Sequence, residues 1–213
     1  MAGRTRQYEL IAPVYDLVSG EWPVYRPGRL AGIAGLRLRP GSRLLVVGCG
    51  TGLDLRPVHE RVGDGGRFVG LDASRQMLAR AGRRPAARGW PGVTLVQGDA
   101  TAPPSGRLLE ALGGDGADAV LCTYALSLID DWPAAWRAAV ALGRPGARVA
   151  VVDMQPAQRG PRPARALARL AMWSGGADPA ARPWRAVEEH CTDVDRWDLR
   201  GGHVQVRAGT LPG

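Results

Sequence analysis

Three glycines at alternate positions, Gly48, Gly50 and Gly52, follow the apolar run RLLVV (43–47) and open onto LDLRPV. Glycines in this spacing let a backbone turn sharply at a strand end and come close to a ligand, where any Cβ would clash. A helix starting just beyond offers free N–H groups to a polar or anionic group. Leu53 stands where a dinucleotide fingerprint wants Gly or Ala, so a nicotinamide or flavin dinucleotide is not the preferred ligand. Asp72 closes a second apolar run, RFVGLD, 20 residues after Gly52. A carboxylate there can accept both hydroxyls of a ribose. The competing reading is helix capping, since Ala73 and Ser74 open a helix. Asp99, in VQGDAT (96–101), ends a third run, where it or an adjacent amide can meet an adenine edge or make a turn.

Other titratable groups carry less chemistry. His59, His190 and His203 are isolated, lack the spacing of metal ligands, and read as surface or core histidines. His190 and Cys191, near Glu188 and Glu189, are a weaker candidate for flanking an acceptor. Asp130 and Asp131 stand before Trp132 and Pro133 and read as helix caps rather than an acid/base pair.

The elements that must position these residues follow from the hydrophobic pattern. Short continuous apolar runs at 43–47, 67–72, 93–99, 118–124 and 147–154 suit strands buried on both faces of a parallel sheet. Helical stretches are expected between them, roughly over 53–62, 74–82, 106–112 and 133–143. Strand and helix alternating at this spacing predict an α/β doubly wound sheet. Residues 155–190 are rich in Pro, Arg and Ala, and ARALARLAMW (164–173) reads as an amphipathic helix with Arg165 and Arg169 four apart. Two alternating runs around Gly201–Gly202 read as a hairpin.

Composition narrows the classes. The chain has 213 residues with 45% hydrophobic and 23% charged residues, which is enough for one globular domain with a sizeable core. All 28 basic residues are arginine, which excludes a Schiff-base, Walker or kinase lysine and fits a GC-rich coding sequence. The net charge of +8 allows attraction to phosphates as a secondary reading. Three widely spaced cysteines, Cys49, Cys122 and Cys191, disfavour both a disulfide scaffold and a zinc site and fit a reduced cytoplasm. The N-terminal MAGRTRQYEL has no apolar h-region, and no run reaches the length of a membrane span.

The order VVGCGTGLDL, VGLDAS, QGDAT, DAVLCTYALSLIDDW and LGRPGARVAVVDM, over residues 41–154, resembles the class I S-adenosylmethionine-dependent methyltransferases. The resemblance implies a Rossmann-like, mostly parallel seven-stranded sheet in three αβα layers, closed by an antiparallel C-terminal hairpin. It implies S-adenosylmethionine as cofactor, its methionine part on the loop Gly48, Cys49, Gly50, Thr51 and Gly52. It further implies the ribose on Asp72 beside Ala73, the adenine amino group on Asp99 beside Ala100, and Met77 packed on the adenine. Thr123 would meet the methionine end, and Tyr124 would touch the acceptor as the catalytic candidate. One departure stands out: the family usually has an acidic residue two before the first glycine, where this chain has Val46.

The flank APVYDLVSGEWPVYR (12–26) resembles the N-terminal lid of the ubiquinone/menaquinone C-methyltransferase and phospholipid N-methyltransferase group. By that resemblance Tyr15, Arg26 and the neighbouring Asp16 close over the cofactor, Arg26 suiting its carboxylate. The expected organisation is a single domain: a helical lid (1–40), a cofactor core (41–154), a variable helical substrate region (155–190) and a closing hairpin (191–213). The implied activity is methyl transfer to a small molecule or lipid head group. The alternatives are a dinucleotide-dependent oxidoreductase, which Leu53 disfavours, and a non-catalytic cofactor-binding regulatory protein, which Val46 slightly favours. CTYALSL after the fourth run lacks the Asn/Asp-Pro-Pro-aromatic signature of base methylation, so a nucleic-acid acceptor is not expected. Membrane contact by the arginine-rich stretch 159–185 is the less favoured reading against a helix with its arginines in water. The acceptor atom and the oligomeric state stay open at this point.

Overall fold

The computed structural model describes residues 24–162, 165, 166, 169, 178 and 180–213. The expectations for Tyr15 and Asp16 lie outside the described residues, as does most of the helix read over 164–173. Within them, α1 is Arg26–Gly35, β1 Arg43–Val47, α2 Leu55–Val62, β2 Arg67–Asp72 and α3 Arg75–Ala81. The chain continues through α4 Pro85–Gly89, β3 Val93–Gln97, α5 Ser105–Leu112, β4 Ala117–Thr123 and α6 Trp132–Val140. It closes with β5 Gly143–Met154, α7 Arg185–His190, β6 Thr192–Leu199 and β7 Val204–Thr210.

The seven strands form one sheet in the order β3-β2-β1-β4-β5-β7-β6. The first five are mutually parallel, while β7 runs antiparallel to both β5 and β6. This is the fold that the apolar runs and the resemblance predict. Successive side chains of a strand face opposite sides of a sheet. Leu45 and Val47 accordingly enter one core with Leu108 and Leu112 of α5 and Trp136 of α6. Leu44 and Val46 enter the other, with Ile33 of α1, Leu55 and Val58 of α2 and Ala81 of α3. Helices thus cover both faces, which is why β1 carries no polar alternation. Each such fully buried Leu or Val contributes about 1.5–3 kcal/mol.

Local signals set most boundaries. Asp131 caps α6 by accepting from the Ala134 amide at 3.0 Å, as the sequence predicts, and Pro133 occupies its first turn. Ser74 caps α3, its hydroxyl accepting from the Met77 amide at 3.3 Å. Two expected boundaries move by three residues or more. Helix α6 stops at Val140 rather than 143, and β5 begins at Gly143 rather than 147. A register shift between Ala117 and Ala119 of β4, opposite Gly143 and Arg148, accommodates the extra residues at positive-φ Gly146.

Chain order reverses direction between β1, whose neighbours are β2 and β4, so the switch point of the sheet lies at the carboxyl ends of β1 and β4. Antiparallel β7 starts at that same edge, where Val204 pairs with Met154. His190 and Cys191 precede Thr192, which pairs with Thr210 at the opposite edge. The weaker acceptor-flanking candidate is therefore remote from the switch point, and Glu188 there bonds Arg196 and Arg207 instead.

Candidate active site

The turn after β1 is held from below and left open above. The amides of Gly48 and Cys49 both donate to the Leu71 carbonyl, at 2.8 and 3.0 Å, which leans the loop onto β2. Gly48, Gly50 and Gly52 have φ of 68°, 53° and 78°, in the left-handed region that disfavours side chains. The three differ in what a Cβ would meet. At Gly48 it would lie 2.3 Å from Ala125 Cβ, and at Gly52 2.6 Å from Leu55 Cδ1. At Gly50 it would meet nothing within 4 Å. Gly48 and Gly52 therefore serve packing, and Gly50 is the position at which the backbone is bare toward an approaching ligand. Thr51 is turned into the protein, 5% exposed, where Arg84 donates to its carbonyl and to its hydroxyl.

Asp72 does more than either sequence reading allows. Its Oδ2 accepts from the Gly50 amide and its Oδ1 from the Ser74 amide, both at 2.8 Å. It is not the cap of α3, which is Ser74; it ties the glycine loop to the start of that helix. Burial pushes its carboxyl above the ordinary carboxylate value, and the two amides oppose that. Each oxygen keeps a second lone pair for a hydroxyl. Met77 is buried in the first turn of α3, and the Ala73 carbonyl accepts from Gln97 at 3.1 Å. Asp99 makes a turn: its Oδ1 accepts from both the amide and the hydroxyl of Thr101 at 2.8 Å, across Ala100. Its Oδ2 has no hydrogen bond among the described residues, so the turn leaves an acceptor for an amino group.

The end of β4 brings in partners that sequence reasoning missed. Thr123 Oγ1 donates to Asp54 Oδ2 at 2.9 Å and accepts from Arg29 Nη1 at 3.0 Å. Arg29 also donates to Asp54 Oδ1 at 2.7 Å, closing a triangle with the Asp54 side chain 1% and the Arg29 side chain 10% exposed. Arg26, singled out from the sequence, is the exposed first residue of α1; one turn on, Arg29 reaches the strand ends. The only local hint was its place three residues after Arg26 on an otherwise glycine-rich helix face.

Tyr124 adopts φ 54°, which re-aims its side chain at the strand end. Its hydroxyl donates to the Tyr25 carbonyl at 2.7 Å, and the two rings meet edge-on at 5.0 Å. Arg29 lies 5.6 Å from the Tyr124 ring centre. His203, expected to be an isolated histidine, completes this aromatic group: its ring centre lies 5.9 Å from that of Tyr25. Its Nδ1 is 2.6 Å from the Gln155 carbonyl, which can only accept, so Nδ1 carries the proton. Nε2 then presents its lone pair toward the Tyr25 hydroxyl, 3.4 Å away. Burial holds this imidazole below the ordinary histidine value, so it is neutral near pH 7. His59 by contrast stacks on Trp90 at 4.6 Å and pairs with Asp64.

The two buried cysteines report the field beneath the site. Cys49 is pushed well up by burial and then by the carboxylates of Asp72 and Asp54. Cys122 is pushed up to about 12 by burial, then by Asp153 and Asp54. Neither thiol is a nucleophile at neutral pH.

A family model described as a methyltransferase domain matches residues 44–146. A 2-phytyl-1,4-naphtoquinone methyltransferase of Synechocystis sp. is 30% identical over 173 residues, covering 78% of this chain and 67% of that protein. The chain belongs to the class I S-adenosylmethionine-dependent methyltransferases. The nocamycin O-methyltransferase of Saccharothrix syringae is 32% identical over 149 residues, covering 70% of this chain and 50% of that protein. The chain thus spans from half to about two thirds of the length of these methyltransferase relatives. Among solved structures, the cyclase SpnF shares the fold with a TM-score of 0.69 at 16% identity, over 98% of this chain and 94% of its own. The residues present fit the class cofactor. Gly50 leaves open space beside its backbone, and Asp72 and Asp99 retain acceptor capacity at successive strand ends.

Proposed function

We propose that this methyltransferase moves a methyl group from S-adenosylmethionine to a hydroxylated aromatic or enolic small molecule. When bound, the cofactor supplies a methyl group already activated on sulfur. The chain's own residues then orient and exclude water. Gly48 to Gly52 and Asp72 hold the cofactor at the end of β1 and β2, with Asp99 on its amino-bearing base. Tyr124 meets the acceptor, and Tyr25 forms the wall beside it. Methylation of such an acceptor at oxygen or ring carbon releases one proton. The His203 lone pair, reached through the Tyr25 hydroxyl, is the proton acceptor on that side. The observation that carries the reading is the coincidence at one sheet edge of a bare Gly50, a doubly anchored Asp72 and the Tyr25–Tyr124–His203 group. Relatives named as a nocamycin O-methyltransferase and a 2-phytyl-1,4-naphtoquinone methyltransferase support an organic small-molecule acceptor over a lipid head group.

The described residues act as a single domain, with α1 packed beside the site. A reduced cytoplasm suits its three free thiols. No helix among the described residues is long and apolar enough to cross a membrane. Calorimetry with S-adenosylhomocysteine, NAD and FAD tests the cofactor half of the proposal. Binding of S-adenosylhomocysteine should exceed that of either dinucleotide. A panel of naphthohydroquinones, phenols and phosphoethanolamine, read by a methyl mass shift, tests the acceptor half. Methylation confined to phosphoethanolamine, or tighter NAD binding, would overturn the proposal.

A further inference from the structure

The strand position that usually supplies an acid in this class is Val46, which is fully buried among apolar side chains and offers no carboxylate. In the parallel pairing of β1 and β4, Val46 lies opposite Leu121, so the two side chains share one face of the sheet. Thr123, two residues beyond Leu121, points to that same face one step nearer the carboxyl edge. Asp54 is bonded to Thr123 there, at 2.9 Å, and the same carboxylate is one of the two that raise the Cys49 thiol inside the glycine loop. A buried carboxylate therefore stands at the start of α2, on that same face and beside the glycine loop.

We propose that Asp54 takes over the task of the missing strand acid and receives the amino group of the cofactor's methionine end, with Arg29 and Thr123 fixing its orientation. The inference rests on the cofactor reading above. The two bonds leave this buried carboxylate further acceptor capacity. Arg29 uses Oδ1 and Thr123 uses Oδ2, one donor each, and a carboxylate offers about four acceptor sites. An arginine bonded to the same carboxylate fixes its plane. The arrangement also explains why α1 is seated so closely. A Cβ on Gly28, the residue before Arg29, would fall 2.4 Å from the Tyr124 hydroxyl and 2.5 Å from Val204 Cγ1. Only a glycine there lets Arg29 reach Asp54 across the strand ends.

Two ligands separate this role from a merely structural one. S-adenosylhomocysteine carries the amino-acid end; 5′-methylthioadenosine carries the same nucleoside without it. In calorimetry, Asp54→Asn should weaken S-adenosylhomocysteine about ten- to a hundredfold, the size of a charge-assisted hydrogen bond. It should leave 5′-methylthioadenosine within about twofold, since no bond to the nucleoside is lost. Equal losses for the two ligands, or no loss for either, would overturn the proposal. Thr123→Val removes one donor to Asp54 and is the milder variant should Asp54→Asn fail to fold, as judged by its melting transition. Its loss should again fall on S-adenosylhomocysteine alone, by about fivefold as for one neutral hydrogen bond, and an unselective loss counts against the proposal. Wild-type chain that binds neither ligand would remove the cofactor reading itself, an outcome distinct from unselective binding.

Discussion

The two halves of the sheet edge are built on different principles. On the β1–β3 side the site is made mostly of backbone: positive-φ glycines, amides aimed at Asp72, and a turn around Asp99. On the β4–β7 side it is made of side chains that arrive from distant parts of the chain. Tyr25 meets Tyr124 and His203, Arg29 meets Asp54 and Thr123, and Asp153 meets Ser127. The first half needs a fixed shape, because its ligand is common to a whole class. The second can vary, because most of its contacts involve side chains that can be exchanged without moving a strand.

Substitutions at two glycines of one loop break the first half in distinguishable ways. Gly48→Ala places a Cβ 2.3 Å from Ala125 on a left-handed backbone. It should cost about 2–5 kcal/mol of stability in urea unfolding, from strain plus overpacking. Gly50→Ala meets no neighbour within 4 Å. Its cost should be only the backbone term, about 1–2 kcal/mol, while S-adenosylhomocysteine binding is lost. If both variants lose stability equally and Gly50→Ala still binds, the division between packing and ligand-facing glycines is wrong.

The second half should show itself in pH dependence. Asp153 is wholly buried at the end of β5, accepting from the Ser127 amide at 3.0 Å and the Ser127 hydroxyl at 2.6 Å. Burial raises its carboxyl to about 6, outweighing those bonds. A raised carboxyl favours the folded state when protonated. Its contribution is present below about 4 and is lost as the pH rises through about 6, by about 3 kcal/mol in all. The difference in unfolding free energy between wild type and Asp153→Asn isolates this group. That difference should fall between pH 4 and pH 6.5 and then level off; a flat or rising difference would contradict the burial argument. The smallest expected effect is at Tyr124. Tyr124→Phe removes the 2.7 Å bond to the Tyr25 carbonyl. It should cost about 1 kcal/mol and leave S-adenosylhomocysteine affinity unchanged, since the bond belongs to the acceptor half.

The same contrast explains how far the sequence could be read. The glycine loop, Asp72 and Asp99 are local: strand, turn and acid lie within a few residues, and strand ends in a doubly wound sheet converge on one edge. The alternating apolar runs gave the strands for the same reason. Arg29 and Asp54 lie 25 residues apart, and Tyr25 and His203 lie 178 apart. No periodicity or spacing links such pairs, and His203 read as isolated because its partners come from α1 and β5. β5 starts earlier than its apolar run because a bulge at Gly146 adds strand residues where turn residues are expected. The sequence points to Arg26 rather than Arg29 because helix phase against the sheet is a tertiary property.

The order of the strands bears on how the chain comes to be assembled. β7 is made after β6 yet lies inside it, against β5. Seven consecutive residues of β5, from Ala147 to Asp153, are buried, and one of their two hydrogen-bonding edges is closed only by β7. The first residue of β7, Val204, follows the last of β5, Met154, by 50 positions. At a synthesis rate of about 5–20 residues per second, that edge stays an open template on the nascent chain for about 3–10 s. A hydrophobic strand of this kind is a site for pairing with the wrong neighbour, and slower translation lengthens the window. Yield of this protein in a foreign host should therefore depend on elongation rate and on early chaperone capture of β5 more than on the stability of the finished fold.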